Sequence, residues 1–257
     1  MIISHKECLP PSNPNVAIWR YMDFPKFVDL LEQGRLYFAR QDQLGDPFEG
    51  ALSDASVELL RVWDEQNPVQ TVTGEPSHHI LARDVYRMNS LCNYISCWHM
   101  SEHESLAMWR VYSGNGIAIR STYRRLFDCL HESSQDVLIS KVVYRDRRDV
   151  SQAENFGNTM SPVVRKGMSY EYERELRAFF QRVPPAWTSG SFPYDAYKDE
   201  LDKGIGIEVD LSSLIEKVYV APGRPQWFKD LVGKVLKTYK LEIPLETSSL
   251  EERPDTY

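Results

Sequence analysis

Cysteine is scarce in this chain. Four residues in 257, Cys8, Cys92, Cys97 and Cys129, with no CxxC pair, are too few for a disulfide scaffold and fit a reducing compartment. A surplus of positive charge is also missing: 30 Lys and Arg against 37 Asp and Glu leave a net charge of −7. That balance argues against general binding to nucleic acid or anionic membrane, while a small nucleotide ligand remains compatible with it. No window approaches the roughly 18 uninterrupted apolar residues of a membrane span. Met1 to Pro14 carries His5, Lys6 and Glu7 but no apolar segment of the secretory kind, so the expected compartment is the cytoplasm. There is no Gly-rich phosphate loop ending in Lys-Ser/Thr, no Rossmann glycine fingerprint, no HExxH and no nucleophile-elbow serine, which lowers the weight of the common nucleotide and hydrolase folds.

What is present is an ordinary globular composition, 42% hydrophobic and 26% charged, with aromatics somewhat enriched at 12%. Val16 to Tyr21 reads as a strand. Asp23-Phe24-Pro25 then supplies a helix cap and an early proline before an apolar stripe, Phe27, Val28 and Leu31, that ends at Gly34. Arg35 to Ala39 follows as a second strand, and Gly45 to Gly50 as a tight turn around Pro47. Helices are expected from about Ala51 to Glu65 and Ile80 to Ser90, with Asn67 to His79 a surface loop or lid between them. Asn93 to His99 is the next strand and Glu104 to Tyr112 a short helix. Further strands fall at Ile117 to Arg120 and Val137 to Tyr144, around a helix over Tyr123 to Leu130. Tyr172 to Phe180 alternates and reads as a strand, Val183 to Lys203 as a loop, and Ile205 to Val209 and Lys217 to Val220 as strands. Pro225 to Tyr239 is a helix and Leu241 to Leu245 a last strand. Strands and short helices without a βαβ period or internal repeat predict an α+β fold: a single domain over 1–257, core about 15–250, with a mixed or antiparallel central sheet and short helices around it.

Five groups carry chemistry. Arg20, in an apolar strand beside Trp19 and Tyr21, needs a partner, which is either Asp46 or Glu49 or an anionic oxygen of a ligand. Asp46 and Glu49 stand on the proline turn, where they cap the next helix, orient a base or bind a cation. Trp98 and Trp109 are either core or a stacking wall for a planar base. Cys92, Cys97, His99 and His103 are close in sequence, but their spacing matches no standard zinc finger. Finally, Glu173, Glu175 and Arg177 share one face of the Tyr172 to Phe180 strand, either as a solvated ion-paired face or as an acid/base site in a cleft.

In order, Leu36-Tyr37-Phe38-Ala39, Asp46 to Gly50, Met108-Trp109 with Tyr112, Gly116 to Tyr123, and Tyr172 to Arg177 resemble the bacterial family catalogued as domain of unknown function twenty-nine seventy-one. The likeness spans Trp19 to Leu250, and the name of that family implies no activity. The architecture is also similar to ADP-ribosyltransferases: an Arg in a first strand, a helix, a strand reading Leu-Tyr-Phe-Ala, and a late strand bearing Glu. That resemblance implies NAD as substrate, with Arg20 on its phosphate or ribose, Tyr37 or a Trp stacked on nicotinamide, and Glu175, beside Glu173, stabilising an oxocarbenium-like sugar. Tyr21, Arg120 and Arg177 would complete the ligand site. The middle Ser-Thr-Ser motif of those enzymes is absent here. The implied function is an NAD-using transferase or glycohydrolase, as an effector in conflict systems such as phage defence. Two alternatives stand beside it: a non-catalytic nucleotide-sensing or protein-interaction module, and a metal-dependent nuclease using Asp46, Glu49 and Glu175.

Overall fold

A computed structural model describes residues 1–67, 78–114, 116–153, 158–184 and 194–251. The chain opens with β1 (Ala17–Met22), α1 (Phe24–Gln33) and β2 (Arg35–Arg40), the predicted strand, helix and strand. Local chemistry accounts for α1. The Asp23 carboxylate accepts from Lys26 N at 2.8 Å, Phe27, Leu30 and Leu31 form its buried stripe, and Gly34 ends it at φ 59°, in the left-handed region glycine tolerates. Next come α2 (Asp54–Gln66), α3 (His78–Cys92), β3 (Asn93–Met100) and α4 (Leu106–Met108), which widens into π-type turns over Trp109–Ser113. Then follow β4 (Ile117–Thr122), α5 (Tyr123–His131), β5 (Leu138–Lys141), β6 (Val143–Arg145) and β7 (Arg165–Gly167). The remainder is β8 (Glu175–Gln181), α6 (Tyr194–Glu200), β9 (Gly204–Glu208), α7 (Leu211–Leu214), β10 (Lys217–Val220), α8 (Gln226–Thr238) and β11 (Leu245–Thr247).

The α+β expectation holds, with a mixed central sheet of nine strands. Its path is β11-β10-β4-β1-β3-β2-β9, with β8 and β5 joined through β3; all pairs are antiparallel except β10 with β11. Residues from both ends of the chain belong to one layer. Even the first residues attach to it, Ile3 N donating to Val137 O at 2.9 Å and Lys141 N to Leu9 O at 3.0 Å. One face of the sheet carries the main core, where Ile18, Phe38, Trp98, Ile119 and Leu176 pack with Phe27 of α1, Leu126 of α5 and Phe228 and Val232 of α8. The other face holds a smaller aromatic cluster of Trp19, Tyr21, Met108 and Trp109.

Four readings are corrected. Tyr172 and Glu173 end a 3-10 turn, Met168–Glu173, rather than opening the strand, because Arg174 takes a left-handed conformation (φ 42°) that reverses the chain into β8. The loop expected over Val183 to Lys203 contains α6. The last strand begins at Leu245 rather than Leu241, and the run from Val137 divides at Val142 into β5 and β6. The lid expected between α2 and α3 falls mostly on 68–77, outside the described residues.

β3 decides where the site lies. All of it but Met100 pairs with β8, from Asn93↔Gln181 to His99↔Glu175. Its other edge is shared: β2 takes Tyr94 and Ile95, β1 takes His99 and Met100, and Ser96, Cys97 and Trp98 between them meet no strand. The sheet therefore forks at these three residues.

Candidate functional site

Arg20 fills the fork. From β1 its guanidinium crosses to β3, donating from Nη1 to Ser96 Oγ at 2.6 Å, and to β2, donating from Nη2 to the Tyr37 carbonyl at 3.0 Å. It lies 5.9 Å from the Trp98 ring centre. Its contacts substitute for ladder hydrogen bonds that the diverging strands cannot make. Neither Asp46 nor Glu49 pairs with it, so among the described residues this cation has only neutral acceptors. Burial pulls its pKa below the ordinary value of 12.5, the direction expected for a desolvated charge that lacks a counter-ion.

Opposite in sign is a carboxylate cluster around β8. Glu173 accepts from Lys166 Nζ at 2.5 Å and from the Tyr112 hydroxyl. Glu175 Oε2 accepts from Arg177 Nε at 3.1 Å and Nη2 at 2.9 Å, and Lys166 lies 3.8 Å away. Arg177 is fully buried and also grips Glu49 through Nη1 and Nη2 at 2.6 and 2.9 Å. Three carboxylates (Glu49, Glu173, Glu175) against two cations (Lys166, Arg177) leave the cluster at 2 − 3 = −1. Burial raises the Glu175 pKa, but Arg177 and Lys166 outweigh it, and the net shift is downward. The same pairing carries Arg177 well above its ordinary value against the opposing effect of burial. The Cys97 thiol rests against Glu175, and burial followed by that carboxylate pushes its pKa up, so it stays protonated.

The fork and the cluster bound one cavity of about 810 Å³, within the range of small-molecule sites. Arg20, Tyr37, Trp98, Asp46, Glu173 and Glu175 all line it, with Tyr21 and His99 from the aromatic face. Tyr37 is 47% exposed and stands at the mouth. Its ring lies over Gly204, where a Cβ would come within 2.0 Å of the Tyr37 hydroxyl, so glycine leaves the room the ring occupies. Asp46 accepts from Phe48 N at 2.9 Å and faces the Tyr170 hydroxyl.

Four expected ligand residues do not reach the cavity. Trp109 is core: its Nε1 donates to Glu104 Oε2 at 3.0 Å and its ring meets Tyr21 edge-on at 5.0 Å. Arg120 is on β4, paired with Glu216 at 2.5 Å. Glu49 and Arg177 lie behind the wall as a brace between the proline turn and β8. The Cys/His group does not assemble either. Cys92 is buried at the end of α3 while His103 is exposed, and among the described residues no three or more His, Cys, Asp or Glu are placed to hold a metal ion. Glu49 and Glu175, two of the three carboxylates of the nuclease alternative, are both engaged by Arg177.

Sequence reasoning missed Lys166, which sat in a stretch without periodicity, and His99, read only for metal binding. The signal for His99 was its alternation with Cys97 on β3, which aims both at one face. No family model, no curated protein and no solved structure matches this chain.

Proposed function

We propose that the cleft binds NAD and that the protein is an NAD-consuming transferase or glycohydrolase of the ADP-ribosyltransferase type. The observation that carries this reading is that Arg20, Tyr37 and Glu175 line one cavity. A dinucleotide cleaved at its nicotinamide ribose needs three things: a cation for its phosphates, an aromatic surface for a planar ring, and an anion where positive charge develops. Arg20 is a planar donor fork without a carboxylate of its own, suited to phosphate oxygens. Tyr37 at the mouth offers the ring surface. Glu175 is held ionised by Arg177 and Lys166, in a cluster whose residual charge of −1 favours an oxocarbenium-like sugar as neutral nicotinamide leaves.

One observation favours a second reading. Glu175 already has two cationic partners, which suits a non-catalytic nucleotide-sensing module that binds without turnover. Incubating the protein with NAD separates the two: the first reading predicts nicotinamide release that Glu175→Gln abolishes, the second predicts saturable NAD binding with no release from either protein. Neither release nor binding overturns both.

A further inference from the structure

We propose that His99 is the proton acceptor of the cleft, taking the proton of a hydroxyl nucleophile, from water or from an alcohol group of an acceptor, as it attacks the ribosyl carbon. This rests on the NAD-cleaving reading and adds to it the class of acceptor. His99 and Glu175 are directly paired residues of β3 and β8, so the two side chains enter the cavity from neighbouring positions. The His99 Nδ1 lies 2.6 Å from the Glu173 carbonyl oxygen. A carbonyl only accepts, so Nδ1 carries the hydrogen of the neutral ring, and Nε2 is left as a bare lone pair. Among the described residues Nε2 has no hydrogen-bond partner, and the ring, otherwise buried, lines the cavity.

The acceptors nearest it are engaged. Glu173 receives Tyr112 and Lys166, Glu175 receives Arg177, and Asp46 receives the backbone of Phe48. His99 thus presents an acceptor without a donor. The groups around it are Tyr21 of β1, edge-on at 6.2 Å, Glu173 at the end of the 3-10 turn and Arg174 just after it, Glu175 of β8, and Cys97 on its own strand. Burial lowers the imidazole pKa, the Glu173 carbonyl raises it and Arg174 lowers it, with a net downward shift from 6.5. The ring is therefore neutral at pH 7.

The step balances. The glycosidic C–N bond of NAD breaks and its electron pair stays with nicotinamide, which leaves neutral. An oxygen lone pair of the hydroxyl forms the new C–O bond, and its proton passes to Nε2. The resulting imidazolium then releases that proton to solvent. An amine acceptor, already protonated at neutral pH, would need a stronger base than this imidazole.

The test is the pH dependence of nicotinamide release from NAD for the wild type, His99→Gln and His99→Ala, the last with and without free imidazole. The wild-type rate falls on the acid side as His99 is protonated. His99→Gln loses roughly 10²-fold in rate and also the acid limb, and imidazole restores His99→Ala at least about tenfold, as a cavity-lining base requires. A purely structural role moves neither limb nor rescue. If the wild type releases nicotinamide and His99→Gln keeps both its rate and its acid limb, the proposal falls while the NAD reading stands. If the wild type releases none, both fall. Because His99→Gln risks misfolding, ¹⁵N spectra of histidine-labelled wild type provide a second arm. The Nδ1–H tautomer, neutral at pH 7, supports the proposal, and an Nε2–H ring or an imidazolium at that pH overturns it.

Discussion

Arg20 and Tyr37 stand on strands that never pair, yet Arg20 Nη2 donates to the Tyr37 main-chain carbonyl at 3.0 Å across the fork. One side chain thus joins two halves of a sheet and also forms the cationic wall of its cavity. The geometry of the fork and the binding of an anion are linked through that guanidinium.

Arg20→Lys tests the link. Lysine keeps the charge but cannot reach Ser96 and the Tyr37 carbonyl with one planar fork. NAD affinity is expected to weaken by about tenfold, about 1.4 kcal/mol by calorimetry, and the melting temperature to fall as the fork loses one of its two bridging hydrogen bonds. Unchanged affinity would show that the guanidinium is purely a structural bridge.

Glu49 is expected to matter for stability. It holds fully buried Arg177 with two hydrogen bonds across 128 residues of sequence. Glu49→Ala leaves that guanidinium with Glu175 and the Val163 carbonyl, and is expected to cost about 3 kcal/mol in urea unfolding. A loss under about 1 kcal/mol would contradict the brace.

Acid should weaken the same network. The folded-state pKa of Glu175 is depressed below its ordinary 4.5, so the stability it contributes is fully present above pH 4.5 and is lost as pH falls through the lower folded value. Urea midpoints should be flat from about pH 7 to 5 in this respect and decline below. Glu175→Gln should shallow that decline. An identical acid slope in the variant would remove Glu175 as its source.

How much of this was legible in the sequence follows from which residues signal locally. The α1 segment announced itself through Asp23, Pro25, the Phe27 to Leu31 stripe and Gly34, because caps and periodicity are short-range. Arg20 and Glu175 stood out as charges in apolar strands. The brace between Glu49 and Arg177 was not legible, since both read as charges at a turn and on a strand, and only the pairing of β3 with β8 sets Arg177 behind the wall. Trp109 and Arg120 were expected in the site because their residue types suit ligands. The burial of Trp109 and the pairing of the two with Glu104 and Glu216 depend on tertiary neighbours that the sequence does not mark. Glu173 reads as part of the strand because it continues the alternation of Glu175 and Arg177 against Leu176, Ala178 and Phe180, and the reversal at Arg174 places it in a turn instead.

Those displaced residues give a negative control. Arg120→Ala breaks a partly buried pair with Glu216 and removes a cation 5.9 Å from the far side of the Trp19 ring, but Arg120 itself does not line the cavity. It is expected to leave NAD affinity and nicotinamide release within about twofold of wild type, at a stability cost of about 1 kcal/mol or less. A large loss of activity would mean that the cleft extends to β4.

Gly204→Ala probes the mouth. A Cβ there collides with the Tyr37 ring, so the ring must turn away, at an expected cost of about 1–3 kcal/mol and with weaker NAD binding. In a Tyr37→Ala background the same substitution should cost little, giving a double-mutant coupling above about 0.5 kcal/mol in thermal melts. Additive costs would show that Tyr37 is not what Gly204 accommodates.

The most direct measurement is a crystal structure of Glu175→Gln grown with saturating NAD. The pyrophosphate is expected on the Arg20 guanidinium and the nicotinamide ribose beside residue 175, within the forked cavity. NAD bound elsewhere, or a cavity left without it at saturation, would contradict the account.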